Sequence, residues 1–276
     1  MNKLLSIQTL IIAFCLSLTF IPLVYKVDVP GMTLPLCEQA VPVETPIHFF
    51  VSQTLADKWS MDEIEASIKA SVRKSNLTMK NSCIPMKRIV ASVEVVDFSG
   101  RPLFDIDQIR RYLWELIGED KVEQIYATPN QFYGAVLAIE DGYFDYDILG
   151  TTNPDEDSQF FMLSEHADEY TLEHELGHLS WAWHEDTSWF QVLDDTLEEH
   201  TSEVNKQRLK PYARGYHCGG AGTIMSYEVD ILPVYSSPEV SNNGRECGVA
   251  DRADNARQMR EFAEQLRQKM NSYSEI

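Results

Sequence analysis

Apolar residues recur along this chain with two different periods, and each period indicates one kind of secondary structure. Between positions 60 and 74, Ile64, Ile68 and Val72 recur at steps of four, which predicts an amphipathic helix. The same spacing predicts two further helices, and short runs of apolar and β-branched residues predict four strands. These helices cover 105–117 and 251–270, and the strands cover 46–53, 88–98, 134–140 and 159–163. Strands that alternate with helices in this way indicate an α/β (α+β) fold.

The segment from Thr171 to His184 reads TLEHELGHLSWAWH and has the most specific chemical pattern in the chain. On a helix, His174 and His178 lie one turn apart on the same face, so both imidazoles can bind one metal ion. Glu175 can take a proton from a water on that metal, as in H-E-x-x-H helices. The chain has 7 histidines among 276 residues, and chance produces this pattern in roughly one or two shuffled chains in a hundred. The segment therefore predicts a catalytic zinc site.

A second segment, CGGAGTIMSY from Cys218 to Tyr227, combines a glycine-rich turn with Met225. With the histidine helix, this turn resembles the metzincin clan of zinc endopeptidases. The resemblance implies that His184 is the third zinc ligand and that Met225 forms an apolar floor under the metal. For Tyr227 it implies stabilisation of the tetrahedral intermediate. Astacin-like and reprolysin-like features are mixed, so the resemblance extends to the clan and not to one subfamily.

The same resemblance implies a two-lobed catalytic domain over residues 46–276, after a short lead-in segment at 31–45. Its fold would contain a twisted, mostly parallel sheet with an antiparallel edge strand, the zinc helix and a C-terminal helix. Residues 146–152 are interpreted as the edge strand that pairs with an extended substrate. The expected activity is hydrolysis of peptide bonds in extracellular proteins, with Zn²⁺ as the cofactor.

One position departs from the metzincin pattern. Where the clan has a glycine that turns the chain back to the metal, this chain has Trp181, and a bulky residue rarely adopts a positive φ. Either the turn has another geometry or His184 is not the ligand. In the second case Glu199 or His200 would complete the site, and a glutamate would indicate a gluzincin-like hydrolase. A catalytically inactive zinc-binding interaction module on the same scaffold is a further alternative.

Export is indicated by the start of the chain and by its cysteines. Residues 1–30 contain a long apolar stretch, which predicts a signal peptide or a membrane anchor and hence a secreted or extracytoplasmic protein. The four cysteines that follow suit an oxidising compartment. They allow three connectivities, of which Cys37 with Cys83 and Cys218 with Cys247 is favoured. Alternatively, Cys37 inhibits the zinc as a thiolate in a latent form.

A formal net charge of −20 argues against a nucleic-acid partner, because phosphate binding needs basic patches. The same charge favours cationic substrates. The expected partner is a protein or peptide substrate, and membrane contact is expected only through residues 1–30. The sequence leaves the oligomeric state open.

Overall fold

The structure is a computed structural model that describes residues 30–38, 40–145, 147–185 and 201–273. Its strands are β1 (Met32–Thr33), β2 (Val43–Ser52), β3 (Met86–Val96), β4 (Phe132–Leu137), β5 (Gly150–Thr152), β6 (Phe160–Ser164), β7 (His217–Cys218), β8 (Ala221–Gly222), β9 (Ser237–Asn242) and β10 (Arg245–Cys247). Its α-helices are α1 (Gln53–Lys58), α2 (Met61–Asn81), α3 (Ile106–Ile117), α4 (Glu119–Tyr126), α5 (Thr171–Leu179) and α6 (Asn255–Tyr273). Apart from Pro30, these residues belong to one compact unit.

Five strands form a mixed sheet in the order β3-β2-β4-β6-β5. β2 is parallel to β3 and β4, and β4 is parallel to β6. β5 pairs antiparallel with β6 at one edge. All six residues of β4 are buried, as expected for a central parallel strand covered by helices on both faces. The predicted mixed α/β class is therefore confirmed, and residues 150–152 of the expected edge strand form β5.

The helices cover both faces of this sheet. Ile64, Ile68 and Val72 of α2 lie in the core that α2 shares with α5 on one face. On the other face, Ile109 and Leu113 of α3 are fully buried against the sheet. The apolar residues that repeat at helical spacing in the sequence are therefore the ones that both helices bury in the core. A further core, which includes Met225, joins the segment after α5 to α6.

Several predicted boundaries are wrong by a few residues. The predicted strand 46–53 corresponds to β2, which ends at Ser52, because Ser52 caps α1 and Gln53 begins that helix. The predicted strand 134–140 ends at Leu137, and Glu140 lies in a 3₁₀ turn. α2 continues beyond 74 to Asn81, and α6 begins only at Asn255.

Two disulfides connect segments that are distant in sequence. Cys37 bonds to Cys83 and Cys218 bonds to Cys247, which is the favoured connectivity. The alternative of a Cys37 thiolate on the metal is wrong, because its sulfur is in a disulfide. Two such bonds are consistent with an extracellular protein.

The predicted signal or anchor lies almost wholly outside the described residues, as do Tyr146, Glu199 and His200. Among the helices that the structure describes, none is long and apolar enough to span a bilayer.

Candidate metal centre and cleft

Helix α5 presents the first two histidines, and its start is fixed by an aspartate. The Asp168 carboxylate accepts hydrogen bonds from the backbone N–H groups of Tyr170 and Thr171, at 2.8 and 2.9 Å. This carboxylate stabilises the helix start, where N–H groups lack partners within the helix.

A buried ion pair attaches α5 to the sheet. The guanidinium of Arg88 on β3 donates to both carboxylate oxygens of Glu173, at 3.2 and 3.0 Å, and both side chains are 0% exposed. The hydroxyl of Tyr235 donates to the same carboxylate at 2.6 Å. Sequence reasoning missed this cluster, because no local pattern connects residues so far apart.

The chain leaves α5 through a left-handed turn at Trp181. The N–H of Trp181 donates to the carbonyl of His178 at 2.8 Å, and the N–H of Ala182 donates to the carbonyl of Gly177 at 3.0 Å. These two bonds define a Schellman motif, whose left-handed position is usually glycine. Trp181 occupies it with a φ of 65° and is only 2% exposed. The turn thus keeps the geometry that a glycine would give, and burial of the indole offsets the backbone strain.

This turn brings His184 back to the two helical histidines. The Nε2 atom of His184 lies 3.0 Å from the Nε2 atoms of both His174 and His178. Zinc–nitrogen bonds of about 2.0–2.1 Å at tetrahedral angles would place such atoms roughly 3.3 Å apart. The three histidines could therefore hold one metal ion.

The protonation of the histidines supports the same arrangement. The Nδ1 atoms of His174 and His178 lie 2.8 and 3.0 Å from the carbonyl oxygens of Ile224 and Ala182. A carbonyl only accepts, so each Nδ1 carries the proton and each Nε2 directs a lone pair inward. Burial lowers the pKa of all three histidines, which keeps them neutral and able to bind a metal.

Glu175 lies beside this cluster, and no lysine or arginine of the described residues pairs with it. It is 5% exposed, and burial raises the pKa of its carboxyl to about 8. Gly150 of β5 makes room for it, since a Cβ at that position would lie 2.7 Å from Glu175 Oε1. The carboxylate is thus enclosed between the helix and the edge strand.

Met225 is fully buried directly against α5. A Cβ on Gly177 would lie 2.6 Å from its sulfur, so the helix approaches the turn closely at a glycine. The turn after β8 also supplies Tyr227, whose hydroxyl lies 3.1 Å from Nδ1 of His184. The structure therefore brings together all six residues selected from the sequence: His174, Glu175, His178, His184, Met225 and Tyr227.

A cleft of about 630 Å³ runs past the three histidines. β5 forms part of its wall, and the turn around Tyr227 forms another part. Three further carboxylates line it, those of Asp147, Asp168 and Glu228, and no lysine or arginine is among its described lining residues. The cleft is therefore negatively charged apart from any bound cation.

No protein-family model and no curated protein matches this chain. A solved structure titled "Structure of a chaperone-substrate complex" contains a chain with a similar fold, at a TM-score of 0.61 and 12% sequence identity. The match covers 83% of this chain and 35% of that chain, so the present chain spans about a third of the length of its neighbour. At this identity the likeness shows the fold alone.

Proposed function

We propose that the protein is a zinc-dependent endopeptidase with a metzincin-like, two-lobed catalytic domain. The observation that carries the proposal is the convergence of three imidazole Nε2 atoms beside the buried carboxylate of Glu175 in an open cleft. Three neutral histidines with an open fourth position are typical of catalytic zinc sites, whereas structural sites have four protein ligands. His174, His178 and His184 would hold the metal.

When bound, zinc supplies a Lewis acid that polarises the scissile carbonyl and makes a water more acidic. Glu175 accepts the proton of the attacking water and transfers it to the leaving amine. Its pKa of about 8 in the protein without metal lies close to the working range of a general base at neutral pH. Burial removes competing water from this carboxylate and strengthens its effect on nearby charges.

The edge of the sheet supports a polypeptide as the substrate. β5 pairs only with β6 among the described strands, and its residues line the cleft. An extended peptide can add to such an edge through backbone hydrogen bonds. The carboxylates of Asp147, Asp168 and Glu228 would then favour peptides with basic side chains. The two disulfides support a secreted or extracytoplasmic location for this reaction.

The test compares the full chain with Glu175→Gln. We expect wild type and variant to bind one zinc per chain, and only wild type to cleave casein. Glu264→Gln makes the same change on the exposed face of α6 and should retain full activity. If wild-type protein binds zinc but cleaves neither casein nor a mixed peptide library, the inactive interaction module is the correct function. If it binds no zinc, both functions are wrong.

A further inference from the structure

The Nδ1 atoms of the three histidines are hydrogen-bonded to two different kinds of groups. Metal-binding histidines normally donate their second ring N–H to a fixed acceptor, which orients the imidazole. For His174 and His178 these acceptors are the main-chain carbonyls of Ile224 and Ala182. Both carbonyls belong to hydrogen-bonded turns next to α5. The rings of the two helical histidines are thus oriented by the fold itself.

His184 is supported by a side chain instead. It lies beyond the end of α5. The backbone of the neighbouring Trp183 is hydrogen-bonded to the backbone of Ala213 and Gly215. Its Nδ1 atom lies 3.1 Å from the hydroxyl oxygen of Tyr227, and the two ring centroids are 4.2 Å apart. The Tyr227 ring is therefore close to this imidazole and tilted by 45° to it, with its hydroxyl next to Nδ1.

The direction of this hydrogen bond follows from the proposed metal site. If Nε2 of His184 is a ligand, the ring proton is on Nδ1, and the Tyr227 oxygen must accept it. A phenol hydroxyl can accept a hydrogen bond as well as donate one, so the Tyr227 oxygen can accept the bond from Nδ1.

We infer that Tyr227 is the positioning residue of the third metal ligand. Its hydroxyl accepts from Nδ1 of His184, as the carbonyls of Ile224 and Ala182 accept from Nδ1 of His174 and His178. The inference rests on the proposed zinc site and gives Tyr227 a role that differs from oxyanion stabilisation. Its effect is exerted on metal affinity before any substrate is present.

Tyr227→Phe in the full chain tests this assignment, because it removes one oxygen and keeps the ring. Titration against a chromogenic zinc chelator should show a 10- to 100-fold weaker zinc affinity, the usual effect of losing such an acceptor. Tyr212→Phe is the matched control, since it removes a hydroxyl that donates to Glu261 at 2.7 Å on α6. That variant should bind zinc as wild type does.

A second measurement follows the His184 ring directly. In zinc-loaded protein, the Nδ1 proton of His184 should exchange slowly in wild type and faster in Tyr227→Phe, as seen by ¹⁵N-histidine NMR. The exchange rates of the His174 and His178 ring protons should not change. A general loss of stability would instead speed exchange at all three histidines. Unchanged zinc affinity and exchange would overturn the inference, and a lower rate of hydrolysis in the same variant would then assign Tyr227 to the oxyanion. Absence of zinc from wild type would instead refute the proposed function.

Discussion

Trp181 gives the sharpest test of the turn that delivers His184. Its φ of 65° lies in the left-handed region, where an L-residue with a Cβ is strained by roughly 1–2 kcal/mol and glycine is not. Its indole is 2% exposed, lies 6.0 Å from the ring of Trp183 and is covered by the guanidinium of Arg208 at 5.6 Å. Removing such a buried side chain costs about 3–5 kcal/mol. The two effects can be separated by two substitutions.

Trp181→Ala and Trp181→Gly both lose the indole, but only glycine relieves the backbone strain. We therefore expect both variants to be less stable than wild type, with the glycine variant more stable than the alanine variant by about 1–2 kcal/mol. At an ordinary helical position the order is reversed, so Ala66→Gly on the exposed face of α2 should destabilise the protein by about 1 kcal/mol. Urea denaturation followed by circular dichroism gives all four free energies of unfolding. An alanine variant as stable as the glycine variant would refute the left-handed turn.

Three further predictions concern the surroundings of the site. In metal-free protein, burial raises the pKa of Glu175 from 4.5 to about 8, so the unfolded chain loses this proton first and stability falls as the pH rises between those values. Glu175→Gln should remove that fall and stabilise the protein by about 3 kcal/mol at pH 7 in urea titrations; equal pH dependence in both proteins would contradict this. Gly177→Ala should destabilise by about 1–3 kcal/mol although alanine favours helices, since its Cβ would lie 2.6 Å from the Met225 sulfur. Met225→Ala should remove most of that effect in a double-mutant cycle, because only the Tyr235 hydroxyl at 3.0 Å then remains close to the new Cβ; additive losses would show that the clash is absent. Arg88→Met should cost about 3–5 kcal/mol in chemical denaturation by leaving Glu173 buried and unpaired, and adding Glu173→Gln should recover part of the loss.

Much of the fold could be predicted where apolar residues repeat over several turns. α2 and α3 each bury a regular set of apolar residues, such as Ile64 and Ile109, and that regularity is visible in the sequence. α4 has only Ile125 fully buried, so its pattern was too weak to identify. The two-residue strands β1, β7 and β8 have no period at all. Their positions depend on tertiary pairing, which a local pattern does not contain.

The candidate site divides in the same way. Helix geometry alone places His174 and His178 on the same face of α5, because a separation of four residues is about one helical turn. The return of His184 depends on whether Trp181 tolerates a left-handed backbone, which is decided by the burial of its side chain. Local sequence favoured glycine at this position, and tertiary packing overrode that preference. The contact of Tyr227 with His184 likewise depends on where two separate turns meet.

Two glutamates on α5 show how position determines the role of a carboxylate. Glu173 and Glu175 are two residues apart, so they point to nearly opposite sides of the helix. Glu173 faces the sheet, where Arg88 and Tyr235 satisfy its charge, and a carboxylate held in this way contributes to the attachment of the helix. Glu175 faces the cleft, where burial disfavours its charged form and no lysine or arginine of the described residues lines the wall. Folding alone gives no reason to keep an ionisable group there, because a neutral side chain of the same shape would fit at lower free energy. The position of Glu175 suits the general base of the hydrolase that we propose, because its proton affinity would then be used in the reaction.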